Sequence, residues 1–79
     1  MSTLAEKLAD QLAADCIKHI EATGDEDIVA IMSTALGDSS QTLQEAFVTS
    51  VRVQRAAIRA KRLLAQRIRD KGGAGAAGG

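Results

Sequence analysis

A chain of 79 residues with no proline and one aromatic residue, Phe47, holds a single domain with a modest core and thin stability. Its apolar residues are mainly Ala, Leu, Ile and Val, with no aromatic or β-branched run in period-two alternation, which excludes a sheet protein and leaves an all-α fold. Net charge is zero, but residues 1–45 hold nine acids against two bases, or −7, and residues 46–79 hold eight bases against one acid, or +7.

The first helix is predicted over about 3–22. Ala5, Leu8, Ala9, Leu12, Ala13, Cys16 and Ile20 recur at three- and four-residue spacing and share one face. Ser2 or Thr3 can cap its N-terminus by accepting from an orphan backbone N–H. Gly24 ends it, because glycine takes the left-handed C-terminal conformation without a Cβ clash.

A second, shorter helix is predicted over about 26–36. Asp25 is its expected N-cap, and Glu26 and Asp27 suit the positive end of the helix dipole. Ile28, Ile31, Met32 and Ala35 form its apolar face, and Gly37 is the expected stop. The acidic triplet reads as capping, since a calcium site needs six or more oxygens in a shaped loop.

The third helix begins within 38–42, where Asp38 with Gln41 and Thr42 with Glu45 both fit a capping box, and runs to about 70. At 1.5 Å per residue it is roughly 43 Å long, well beyond the first helix. Either the two shorter helices fold onto it as a compact unit, or its far end projects and pairs with another copy. The expected fold is therefore three helices, two shorter ones packed on one long C-terminal helix. The domain spans 1–71, and a Gly/Ala tail over 72–79 cannot pack a core and is expected to be flexible.

Along this third helix Arg52, Arg55, Arg59, Arg62 and Arg69 fall within about a third of the circumference. Val53, Ala57, Ala60, Leu64 and Ile68 lie opposite, so the helix divides into an expected core face and a cationic face. No acid interrupts the segment 52–69 to relieve repulsion between like charges. Three sources of neutralisation are open: acids of the first helix and of the corner 25–27, a neighbouring copy, or an anionic partner. Arginine's planar fork suits carboxylate and phosphate alike.

The segment 33–43 resembles the turn region of a helix-turn-helix DNA-binding motif. Ser33 matches the small residue four before a turn glycine, Gly37 the glycine, and Leu43 the apolar residue six after it. The resemblance implies two short helices crossing closely at the turn, the second entering a DNA groove. Two departures accompany it: Asp38 stands where an aliphatic residue is usual, and the would-be recognition helix opens with Ser39, Ser40, Gln41, Gln44 and Glu45, neutral to acidic. Two helices joined by any short turn give the same pattern.

Chemistry that would mark an enzyme is missing from the sequence. Cys16 and His19 stand three apart, but no third orienting group or oxyanion site accompanies them. One cysteine and one histidine do not specify a zinc site, and Gly24 and Gly37 do not form a phosphate-cradling loop. Neither a secretory segment nor a membrane-spanning run is evident, so the chain reads as cytoplasmic. The expectation is a non-enzymatic regulator or adaptor, without cofactor or metal, acting by helix-mediated contact through the five arginines. An acidic protein surface is the leading partner. Alternatives are a nucleic-acid-binding regulator, without the aromatic residues that single strands stack on, and a structural self-assembling subunit. A homodimer is expected to supplement the thin Ala-rich core.

Overall fold

The computed structural model describes residues 3–72, and the expected Gly/Ala tail beyond Gly72 lies outside the described residues. Three helices follow in order: α1 (Leu4–Thr23), α2 (Asp27–Ser39) and α3 (Gln41–Lys71). All-α architecture with a long C-terminal helix is what composition and periodicity predict.

Local chemistry sets most of the boundaries. Thr3 caps α1 with a reciprocal box: its Oγ1 accepts from the Glu6 N–H at 3.1 Å, and Glu6 Oε1 accepts from the Thr3 N–H at 2.8 Å. Gly24, at φ 77°, closes α1 in the left-handed region as predicted. At the start of α3 the cap is Ser40, in extended backbone, with its Oγ accepting from the Leu43 N–H at 3.1 Å.

Two boundary expectations are corrected. Asp25 does not cap α2. The chain enters that helix through Glu26, already at helical angles and without a side-chain cap bond, and the Asp25 carboxylate is engaged elsewhere. Asp25 turns to His19 Nε2 at 3.0 Å, and its own N–H donates to Thr23 Oγ1. Nor does Gly37 end α2, which continues to Ser39. A Cβ at position 37 would overlap the Gln44 side chain, whose Cδ lies 2.8 Å from that point. Glycine here permits close approach of α3 instead of a turn. Gln44 Nε2 uses the space to donate to the Ser33 carbonyl at 2.8 Å.

Pairs across the helices fix the topology. Asp10 meets Ser50 and Gln54, and Glu21 meets Arg62, so α1 and α3 run parallel. Ser33 meets Gln44 and Glu26 meets Arg55, so α2 returns antiparallel to α3. The Glu26–Arg55 pair lies about 14 residues from Ser40 along each helix, roughly 20 Å. Arms still touching at that distance form a nearly closed hairpin, unlike the 90–120° crossing of a helix-turn-helix. The resemblance over 33–43 thus covers a sequence pattern whose fold here is an αα-hairpin.

The core gathers where all three helices overlap. Phe47 is fully buried at 0% exposure, surrounded by Ala9, Ala13, Cys16 and Val51, with Leu12, Ile28, Val29, Met32, Leu36 and Leu43 closing the sides. Small alanines at positions 9 and 13 bring α1 close enough for the Phe47 ring to fill the gap. α3 is the spine: α1 and α2 each pack on it but scarcely touch one another. The molecule is accordingly broad and thin, 54 × 33 × 13 Å.

The core face of α3 is not the predicted one. Phe47, Ser50 and Val51 are buried, whereas Val53 is 61% exposed, Leu64 60% and Ile68 also exposed. The physical reason is length. At 31 residues α3 outruns both neighbours, and its buried stripe follows the side on which they sit. Every residue from Arg59 to Lys71 is exposed. Similarly on α2, Val29 and Leu36 turn to the core while Ile31 and Ala35 stay exposed.

Candidate functional site: an arginine-rimmed cavity

Where α1 ends and α2 begins, the helices spread and leave a cavity of about 280 Å³ against α3. Its floor is Ile17 and Ile20 of α1 with Ile58 of α3, and Glu21, Glu26, Arg55, Arg59 and Arg62 surround it. The opening follows from chain geometry. Gly24 stops α1 abruptly, and Asp25 and Glu26 carry the chain sideways before α2 starts, so the floor isoleucines meet only one opposing helix.

The five arginines predicted as a site are distributed differently along α3. Arg55, Arg59 and Arg62 line this one cavity. Arg52 stands apart, in a shallow groove with Ser33, Gln44, Glu45 and Val48. Arg69 lies beyond the end of the bundle, where its Nη2 donates to Gln66 Oε1 at 2.8 Å. The stripe is continuous in sequence but not one site in space.

Charge pairing further separates the three cavity arginines. Arg55 forms a two-pronged bond with Glu26, Nη1 to Oε1 at 3.0 Å and Nη2 to Oε2 at 3.1 Å. The hydrogen bond and charge of Glu26 hold the Arg55 guanidinium above its ordinary pKa. This fork links the start of α2 to α3 and occupies the Arg55 guanidinium with a carboxylate of its own chain. Arg62 makes a single 3.4 Å contact with Glu21 between two well-exposed side chains, the kind of pair that contributes little and exchanges readily. Arg59, between them, has no carboxylate partner among the described residues. Internal neutralisation therefore accounts for Arg55 fully, Arg62 weakly, and Arg52, Arg59 and Arg69 not at all.

Comparison with protein-family models, curated proteins and solved structures finds no match to this chain. Its function must be argued from the site alone.

The site also holds residues outside the arginine stripe. Ile17 and Ile58 supply the apolar floor, and Glu21 and Glu26 supply the counter-charges. Acids of the first helix and of the 25–27 corner were an open source of neutralisation, but nothing in the spacing tells which acid reaches which arginine. Cys16 is buried beneath a second groove, and burial raises its thiol pKa, helped by the charge of Asp15. Among the described residues no group of three His, Cys, Asp or Glu side chains is placed to hold a metal ion. No described helix is long and apolar enough to cross a membrane.

Proposed function

We propose that the protein is a non-enzymatic adaptor or regulator that captures an acidic, amphipathic segment of another protein at the arginine-rimmed cavity. The reading is carried by one juxtaposition: an isoleucine floor directly beneath the uncommitted Arg59 and the loosely paired Arg62. An apolar side chain of the partner fills the floor, and neighbouring carboxylates take Arg59 and displace Glu21 from Arg62. At about 280 Å³ the cavity falls just below the roughly 300–1,000 Å³ of small-molecule pockets, which suits a single side-chain anchor.

The same features favour a protein over a nucleic acid. Glu21 and Glu26 stand in the rim, where a phosphate backbone following the arginines would meet like charge. Along its phosphates a duplex presents charge, and its main apolar contact group, the thymine methyl, lies inside the major groove away from the arginines' phosphate partners.

Fluorescence anisotropy with a labelled acidic peptide, leucines at three- and four-residue spacing among glutamates, tests the reading. Wild type binds, and the double variant Arg59→Glu, Arg62→Glu binds at least tenfold more weakly with unchanged helicity. A labelled duplex DNA is titrated in parallel at low salt. If DNA binds more tightly than the peptide, with the steep salt dependence of counterion release, the nucleic-acid reading replaces this one.

A further inference from the structure

Among the described residues two apolar surfaces stand uncovered, and they differ in charge. The first is the outward face of α3. Val53, Ala57, Ala60, Leu64 and Ile68 recur at spacings of four and three, joined at the edge by Leu63, and all are exposed. At 1.5 Å per residue the stripe from 53 to 68 runs about 23 Å. Val53 at its start shares a groove with Glu6 and Asp10 of α1, and farther along its flanks are basic, with Arg67 on one side and Lys61 on the other.

The second surface is the groove left because α1 and α2 scarcely touch. Leu12, Cys16, Ile28 and Met32 line a cavity of about 230 Å³ there, with Asp15 and His19 at its edge. By helical periodicity Leu8 continues the α1 wall, and Ile31 and Ala35 continue the α2 wall. Leu8 and Ile31 are exposed large apolar residues. Asp27 and Asp38 fall on the same side of α2 as Ile31. The groove is thus an apolar trough with acids at its margins.

We propose that the outward stripe of α3 docks in the α1/α2 groove of a second copy of this chain, giving each groove the fourth helix it lacks. Charge selects this pairing. Two α3 stripes laid face to face would bring the Lys61 and Arg67 of one copy up against those of the other, with no acid between 46 and 69 on α3 to relieve them. Stripe in groove instead brings Lys61 and Arg67 to the acidic margins formed by Asp15, Asp27 and Asp38. When each copy inserts its helix into the other, the contact is used twice about one two-fold axis and the assembly closes. A one-sided contact buries only half as much and leaves the chain open to filament growth. The contact does not use the floor isoleucines of the arginine-rimmed cavity, so it stands or falls separately from peptide capture.

Analytical ultracentrifugation of the full chain with two variants on exposed positions tests the contact. Leu64→Glu spoils the stripe and leaves the groove intact; Ile31→Arg spoils the groove and leaves the stripe intact. Wild type is expected to be a dimer at tens of micromolar, each variant alone a monomer with wild-type helicity by circular dichroism. An equimolar mixture is expected to recover a heterodimer, since it retains one intact stripe-groove pair. A wild type monomeric at several hundred micromolar overturns the proposal. So does a variant that still dimerises like wild type, or a mixture that stays monomeric. Both variants are expected to keep wild-type affinity for the acidic peptide, so the two functional readings are told apart.

Discussion

Ser50 Oγ donates to Asp10 Oδ1 at 2.6 Å and sets the register of α1 against α3. The bond is at the short end of the hydroxyl range. Gln54 Nε2 completes the arrangement by donating to Ser50 Oγ and to the Asp10 carbonyl, both at 3.0 Å. Ser50 is a buried polar side chain in a core of apolar ones, so removing its hydroxyl strands two neighbours at once. Ser50→Ala should destabilise the fold by about 1–2 kcal/mol. Asp10→Asn, which keeps an acceptor but not the charge, should cost less. Urea titrations of the two variants give the ordering, and equal losses would mean that a neutral acceptor at position 10 cannot replace the carboxylate.

Gly37 and Gln44 offer a sharper test because two effects oppose. Alanine in a helix interior gains roughly 0.5–1 kcal/mol over glycine. Here its Cβ pushes the Gln44 side chain away from the Ser33 carbonyl and loses a bond of similar worth. Gly37→Ala alone should therefore be close to neutral. In a Gln44→Ala background the obstacle is gone, and the same substitution should stabilise by about 0.5–1 kcal/mol. A double-mutant cycle measures the difference, and strict additivity would show that the two positions do not interact.

What the sequence makes legible is what neighbours along the chain decide. The Thr3 cap, the Gly24 stop and the approximate lengths of all three helices depend on residues within one turn of each other. The helix faces depend on partners far away in sequence, and there periodicity is ambiguous. On α3 the set Phe47, Ser50, Val51 and Ile58 and the set Val53, Ala57, Ala60 and Leu64 are both regular. The second set is richer in apolar residues and was the natural choice for a core. Only the placement of α1 and α2 shows that the first set is buried. The arginine stripe was equally legible as a pattern, but its division depends on which acids reach it. That Glu26 reaches Arg55 with both oxygens, while Arg59 is left over, follows from the hairpin geometry and from no spacing rule.

Cys16 provides a pH-dependent readout of the core. Its folded-state pKa is raised by burial beneath Leu12, Ile28 and Met32 and by the charge of Asp15, relative to about 8.5 in an unfolded chain. The unfolded state therefore loses its proton first, and stability is fully present below that value and declines as pH rises through and above it. Replacing Cys16 by Ala should flatten the decline at pH values above the ordinary thiol pKa. The expected companion result is slow alkylation by iodoacetamide at pH 8 in buffer and fast alkylation in 6 M urea. Equal rates in both would show an accessible thiol.

The uneven worth of apolar residues along the chain yields the most direct check of the architecture. Leu63 and Leu64 are large, aliphatic and in mid-helix, and a count of hydrophobic positions treats them like Val51 and Ile17. Yet both lie on the part of α3 that outruns its neighbours, and exposed apolar side chains gain nothing from burial. Leu63→Gln with Leu64→Gln should leave the urea midpoint of the monomer unchanged within about 0.5 kcal/mol, measured at low micromolar concentration where association does not contribute. Phe47→Ala removes a fully buried ring and should cost about 3–5 kcal/mol, enough to unfold a chain whose whole stability is near the low end of about 5–15 kcal/mol. Ile17→Ala, at the floor of the cavity, should fall between them, because its site is open on one side and the neighbours can relax into it. A large loss from the Leu63, Leu64 pair at low concentration would mean that the distal half of α3 folds back onto the bundle.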